Sequence, residues 1–218
     1  MPRLPAIDAE SPTTAAGQVL ASAACSAFGV IYADPPWRYE NGTPGREIER
    51  HYPTMSDEEI CALQVPAAKD AILYLWAVAP RLDAGFRVME AWGFRYKTCA
   101  VWDKVKVGMG FWWRGQHEIL MVGTRGNVSP PPQPLRKPSV IRCPRGRHSA
   151  KPEQVRDWIA EWYPDVPRLE IFSRLKRPGW EVFGNQVEYD LLSGEDLYGQ
   201  NAGADGRGAT GKQTTETE

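Results

Sequence analysis

Along this chain the apolar positions fall into two patterns, short unbroken runs and stripes at helical spacing. Phe28-Gly29-Val30-Ile31-Tyr32-Ala33 is an unbroken run stopped by Asp34-Pro35-Pro36. A parallel strand buried on both faces reads this way, and its C-terminal end would deliver the carboxylate of Asp34. Ser56-Asp57-Glu58-Glu59 has the form of a capping box and predicts a short helix ending before Pro66. Residues 71–78 read as a second buried strand. Residues 81–92 carry Leu82, Phe86 and Met89 on one helical face, with Gly93 placed to end the helix. Strands are predicted at 96–102 and 117–122. Ser129-Pro130-Pro131-Pro132-Gln133-Pro134 suits neither a helix nor a central strand and predicts a loop or flap. Pro152 opens a helix whose stripe is Val155, Trp158, Ile159 and Trp162, and strands at 169–173 and 180–183 complete the series.

Strands alternating with helices at short spacing predict an α/β fold: a mainly parallel sheet, helices on both faces, and ligands at the C-terminal strand ends. The ends of the chain differ from this middle. Residues 1–24 are rich in Ala, Pro, Ser and Thr and predict a loose arm. Residues 193–218 are rich in Gly and Thr, cannot bury enough surface to offset chain entropy, and predict a disordered tail. The working domain is expected at 25–192. No internal repeat is present.

Composition narrows the class. With 218 residues, 42% of them hydrophobic, the chain can fill one sizeable core and has little left for a separate specificity module. No apolar stretch reaches membrane-spanning length, and the Ala-rich segment near the start follows Asp8 and Glu10, which argues against a cleaved signal peptide. Cys25, Cys61, Cys99 and Cys143 lie far apart without a C-x-x-C pair. They predict reduced thiols in a cytoplasmic protein, with no metal site. The formal charge is only -1, but it is unevenly placed: residues 104–151 hold ten Lys and Arg residues against a single acid, Glu118. Such a tract is either a solvated face or a phosphate-binding surface, and Phe111, Trp112 and Trp113 within it favour nucleic acid.

Asp34-Pro35-Pro36-Trp37 carries the candidate chemistry. An aromatic amine such as the 6-amino group of adenine is a poor nucleophile because its lone pair is delocalised into the ring. A carboxylate and a fixed carbonyl, each accepting one amino hydrogen, would draw the nitrogen toward tetrahedral geometry and aim its lone pair at an electrophilic methyl group. Asp34 and the Pro35 carbonyl supply that pair, consecutive prolines keep the backbone extended, and Trp37 is expected to offer the base a flat face. A base cannot react while stacked in a duplex, so the substrate is single-stranded or the base is flipped out.

Several further segments accompany the tetrapeptide in one order: Leu73-Tyr74-Leu75-Trp76, Val101-Trp102-Asp103-Lys104, His117 to Gly123, His148-Ser149-Ala150-Lys151-Pro152, Leu169 to Arg174 and Gly184-Asn185-Gln186. Together they resemble the seventy-kilodalton-subunit (MT-A) family of DPPW-type adenine methyltransferases, and within it the short bacterial and phage members. The resemblance runs from about Ile31 to Gln186. It implies a Rossmann-like fold in permuted motif order and S-adenosylmethionine as cofactor. It also implies that Gly184, Asn185 and Gln186 bind the cofactor, Asn185 and Gln186 at its ribose, and that Lys104 and Arg174 line the cofactor pocket. Lys104 and Arg174 could equally be surface ion-pair partners. The family's messenger-RNA enzymes place a His just after the position of Arg174, where this chain has Leu175-Lys176.

The expected activity is N6-methylation of adenine at particular sites in DNA, with nucleic acid bound through Arg38, Tyr39, Trp113, Arg114 and Lys151 by charge and stacking. RNA adenosine is the alternative substrate, and a non-catalytic nucleic-acid-binding partner subunit the alternative role; the intact Asp34 speaks against the latter. Methylation of cytosine or of a glutamine side chain uses related tetrapeptides that usually begin with Ser or Asn. His117 reads as structural and His148 as either structural or ligand-contacting. Residues 46–52 read as a mobile loop beside the site. Oligomeric state and target sequence stay open.

Overall fold

A computed structural model describes residues 27–38, 54–110, 112–146, 150–173 and 175–183. The expected arm at 1–24, the tail at 193–218, the loop at 46–52, Cys25 and His148 lie outside the described residues. The strands are β1 (Phe28–Ala33), β2 (Ala67–Ala77), β3 (Arg95–Asp103), β4 (His117–Arg125), β5 (Val140–Arg142), β6 (Arg168–Ile171) and β7 (Glu181–Phe183); the α-helices are α1 (Asp57–Cys61), α2 (Leu82–Ala91) and α3 (Glu153–Trp162).

The strands form one sheet in the order β5-β3-β4-β2-β1-β6-β7. β1 runs parallel to β2 and β6, β6 to β7 and β3 to β5, while β4 runs antiparallel to both β2 and β3. The sheet is thus mainly parallel, with β4 as the reversed strand. The reversal has a functional consequence. The C-terminal ends of β1, β2 and β3 and the start of β4 all lie on one edge of the sheet, and Asp34 follows β1 at that edge.

Side-chain alternation divides each central strand between two cores. Ile31 and Ala33 of β1 with Leu73, Leu75 and Ala77 of β2 face α1 and α2, where Ile60, Ala84, Val88 and Met89 close the layer. Val30 and Tyr32 with Ile72, Tyr74 and Trp76 face α3, against Val155 and Ile159. Ile31, Leu73, Leu75 and Ile159 are fully buried, each contributing roughly 1.5–3 kcal/mol of apolar transfer. Helices therefore cover both faces, and the α/β, Rossmann-like fold expected from the sequence holds.

Several boundaries differ. β2 begins at Ala67, because Ala67 and Phe28 pair in register ahead of the apolar run. The capping box forms as read: Ser56 accepts the Glu59 N–H at 3.2 Å and the Glu59 carboxylate accepts the Ser56 N–H at 2.7 Å. Phe86 does not join the core. It is 46% exposed and rests edge-on against Tyr96, because Ala84, Gly85, Val88 and Met89 face the sheet instead. The proline-rich segment contains a 3-10 turn at Gln133–Leu135 and leads into edge strand β5, which sequence periodicity did not mark. No helix of the described residues is long and apolar enough to cross a membrane, no cluster among them could hold a metal ion, and Cys61, Cys99 and Cys143 are free thiols.

Candidate active site

Asp34, Pro35, Pro36 and Trp37 leave the end of β1 in a tightly pinned turn. The Trp37 N–H donates to the Pro35 carbonyl at 2.9 Å, the Met55 N–H to the Pro36 carbonyl at 2.9 Å, and the Arg38 N–H to the Met55 carbonyl at 3.3 Å. Trp37 and Met55 thereby make a single parallel bridge. The Pro35 carbonyl spends one lone pair inside the turn and keeps the other, so its direction is set and it can still accept a hydrogen.

Trp37 does not present a face to a base. Its indole is only 5% exposed, packs in the core with Ile60 and Leu75, and donates Nε1–H to the Trp76 carbonyl at 3.1 Å. This corrects the expectation of a stacking surface. The side chain anchors the turn, because a large apolar ring two residues beyond a strand end gains more by burial than by exposure.

Four charges of alternating sign cross the sheet edge from Asp34. Lys151 Nζ lies 2.6 Å from Asp34 Oδ2 and 3.3 Å from Glu118 Oε2, and Lys104 Nζ lies 2.5 Å from Glu118 Oε1. Tryptophans line the row: Lys151 lies over the Trp76 ring at 5.8 Å, Lys104 over Trp102 at 5.3 Å, and the two rings meet edge to face. Tyr32 lies beneath Trp76, accepting its Nε1–H at 2.6 Å, and burial pushes the Tyr32 hydroxyl far above its ordinary pKa, so it remains protonated. Burial alone would lower the pKa of Lys151. The carboxylates of Asp34 and Glu118 outweigh that effect, and the net shift is upward, so Lys151 is an ammonium.

Lys151 is therefore not on the surface, where the sequence suggested it would lie. It is nearly buried and held between two carboxylates, not the exposed cation that the basic tract led us to expect. Lys104 likewise has its charge engaged by Glu118. Sequence reading passed over Glu118, although a single acid inside a long basic tract was a visible signal that it neutralises something specific. Of the remaining expected residues, Arg38 is exposed just past the tetrapeptide, and Trp113 and Arg114 are exposed in the loop between β3 and β4. His117 is exposed at the first position of β4. Tyr39, Arg174, Gly184, Asn185 and Gln186 lie outside the described residues.

One acceptor at the sheet edge has spare capacity. Asp34 Oδ1 has no hydrogen bond among the described residues, its partner oxygen being taken by Lys151. Glu118 Oε2 is buried, lies 3.3 Å from the Lys151 ammonium and is closed to a ligand. An exocyclic amino group supplies a donor that Asp34 Oδ1 can accept, so the described residues fit the expected substrate.

A family profile described as MT-A70 matches residues 28–186. The type II methyltransferase M.MunI of Mycoplasma sp is 33% identical over 181 residues, covering 73% of this chain and 78% of that protein. An N(6)-adenosine-methyltransferase MT-A70-like protein of Arabidopsis thaliana is 30% identical over 183 residues, 78% of this chain but 25% of its own length. The N(6)-adenosine-methyltransferase catalytic subunit METTL3 of Homo sapiens is 27% identical over 172 residues, 74% of this chain and 28% of its own length. The chain thus spans only about a quarter of these two eukaryotic relatives. With the family profile covering the whole described sheet, this chain belongs to the MT-A70 family of S-adenosylmethionine-dependent adenine-N6 methyltransferases.

Proposed function

We propose that this chain methylates the 6-amino group of adenine in DNA through Asp34. The observation that carries the reading is the pinned turn: a carboxylate with one oxygen held by Lys151 and the other without a hydrogen bond among the described residues, beside a Pro35 carbonyl whose direction is set by the Trp37 N–H. Asp34 Oδ1 and the Pro35 carbonyl each accept one amino hydrogen, which localises the nitrogen lone pair. S-adenosylmethionine supplies the electrophilic methyl group. The preset acceptors need no reorganisation when charge develops on the nitrogen, which is the main source of rate enhancement in such sites. Lys151 keeps Asp34 oriented, and Lys104 holds Glu118, the second carboxylate beside Lys151.

Gly184, Asn185, Gln186 and Arg174 are the proposed cofactor contacts. Arg38, Tyr39, Trp113 and Arg114 are the proposed nucleic-acid contacts. DNA is favoured over RNA because the chain aligns with most of a type II methyltransferase but with only a quarter of the adenosine methyltransferases. Free thiols at three described cysteines suit a reducing cytoplasm.

The test incubates purified protein with labelled cofactor and with matched DNA and RNA oligonucleotides, single- and double-stranded, followed by mass spectrometry of the nucleosides. N6-methyladenine in DNA is expected, and Asp34→Ala should abolish it while sparing cofactor binding. Transfer near the wild-type level by Asp34→Ala would remove Asp34 from this role, and methylation confined to RNA would reassign the substrate.

A further inference from the structure

The loop joining β3 to β4 carries the most exposed large apolar side chains of the described residues: Trp112 is 95%, Trp113 88% and Met109 79% exposed. Its stem is tied closely. The Lys104 N–H donates to the Gln116 carbonyl at 2.8 Å, Gly108 N–H to Gly115 O at 2.7 Å, Gly115 N–H to Met109 O at 3.2 Å, and Arg114 Nε–H to Gly108 O at 2.6 Å. A Cβ on Gly110 would lie 1.9 Å from the Trp113 carbonyl oxygen, and one on Gly108 would lie 2.6 Å from that of Gly115. Only glycine lets the chain double back this tightly.

At the root, Val105 adopts a φ of 67°, a left-handed conformation that a β-branched residue strongly resists. It is held there by Asp103, whose Oδ1 accepts the Val105 N–H at 2.8 Å and a Gln116 amide hydrogen at 3.0 Å. Glycine crowding and a strained root shape the stem of the loop that carries the two exposed tryptophans. The loop starts from the end of the sheet that carries Asp34. Register sets Asp103 opposite His117, and Ala77 opposite Ile119, so the loop leaves the sheet on the same side as Asp34. β4 and β1 are separated only by β2, roughly 10 Å centre to centre.

Charge indicates what the tryptophans meet. Residues 104–116 contain Lys104, Lys106 and Arg114 and no acid. Lys106 and Arg114 are exposed and make no ion pair with any described residue. Flat apolar faces beside exposed cations that pair with no described acid match a strand of unstacked bases with its phosphates, whereas an apolar protein surface would leave the cations unanswered.

We propose that Trp112 and Trp113 form a stacking platform for unpaired bases flanking the target adenine, with Lys106 and Arg114 on the adjoining phosphates. This rests on the nucleic-acid substrate argued above and specifies its state: the flanking bases are unpaired when the adenine enters the site. Stacking on an aromatic face tolerates any base, so the platform would grip the strand while leaving sequence selection to other contacts.

The full-length protein would be compared with a Trp112→Ala/Trp113→Ala double variant and a Trp112→Phe/Trp113→Phe variant, measuring anisotropy of labelled single-stranded and duplex oligonucleotides, methyl transfer and cofactor affinity. The alanine pair should weaken single-strand binding by on the order of tenfold or more, with cofactor affinity unchanged, and the phenylalanine pair should keep most of the affinity. Unchanged single-strand affinity in the alanine pair overturns the proposal. So does a wild-type dimer that becomes monomeric in the alanine pair with unaltered affinity, since the tryptophans would then belong to a second copy of the chain. A wild type that binds through the tryptophans yet methylates no adenine would instead sink the chemistry assigned to Asp34 and leave the platform standing.

Discussion

The ammonium of Lys151 lies 2.6 Å from Oδ2 of Asp34, joining residues 117 positions apart in the chain. The contact orients the carboxylate through Oδ2, and no described residue hydrogen-bonds Oδ1. Replacing Lys151 with Met removes the cation shared by Asp34 and Glu118, and Glu118 is then buried with Lys104 as its remaining partner. The expected result is a stability loss of roughly 3 kcal/mol, typical of breaking a buried pair from one side, and a fall in turnover of at least about tenfold as Asp34 becomes free to rotate. Denaturant unfolding and steady-state kinetics measure the two effects. A variant as active as wild type would show that Asp34 needs no such support.

The pH dependence of that contact has a definite sign. The folded-state pKa of Lys151 is raised because Asp34 and Glu118 outweigh the cost of burial. A lysine with a raised pKa contributes stability that is complete below the unfolded value, about 10.4, and is lost as pH rises through the folded value. The stability difference between wild type and Lys151→Met should therefore stay level from neutral pH to about 10 and shrink only above it. A difference that already shrinks near neutral pH would mean that burial dominates and Lys151 is not a stable ammonium.

The central strands and the tetrapeptide's place at the end of β1 were legible because apolar runs ended by Asp-Pro-Pro leave few alternatives. What sequence could not convey was which polar side chains fold inward. Lys151 reads as one more cation in a basic tract, and its burial follows only from α3 packing against the face that carries Tyr32 and Trp76, which brings Lys151 over the Trp76 ring. Trp37 reads as an exposed aromatic beside a turn. Its burial depends on Met55, eighteen positions on in the sequence, closing the bridge from the other side. Phe86 fits a helical stripe, but the stripe that meets the sheet lies on the neighbouring side of α2, where Gly85 allows close contact: a Cβ there would lie 2.6 Å from Met121 Sδ.

Gly126 closes the turn after β4 with a φ of +64°, and a Cβ at that position would lie 2.1 Å from Asp70 Oδ1 and 2.4 Å from the Lys69 carbonyl oxygen. Asp70 also accepts the Asn127 N–H at 2.7 Å, so it cannot move away freely. Gly126→Ala should therefore cost about 2 kcal/mol through left-handed strain and displacement of Asp70. Because the turn lies at the sheet edge away from Asp34, KM and kcat of the folded fraction should remain those of wild type. Thermal unfolding together with kinetics checks both halves, and a kinetic defect would show that this end of the sheet communicates with the site.

Trp37→Phe isolates the anchoring role of the fourth residue of the tetrapeptide. The ring and most of its burial remain, but the Nε1–H that donates to the Trp76 carbonyl at 3.1 Å is lost, leaving that carbonyl buried without this donor. The stability cost should be about 1–3 kcal/mol, the usual penalty for an orphaned buried acceptor. The functional effect should be larger than the stability effect suggests. Trp37 N–H fixes the Pro35 carbonyl from two residues away, so a ring that settles differently shifts the acceptor, and a displacement near 1 Å at a reacting centre costs about a hundredfold in rate. Turnover should therefore fall while KM for the oligonucleotide changes little, because an anchored, buried indole makes no direct contact with the strand. A base-stacking Trp37 would give the opposite split, with KM raised and turnover preserved, and that result would restore the exposed-platform reading that the buried indole contradicts.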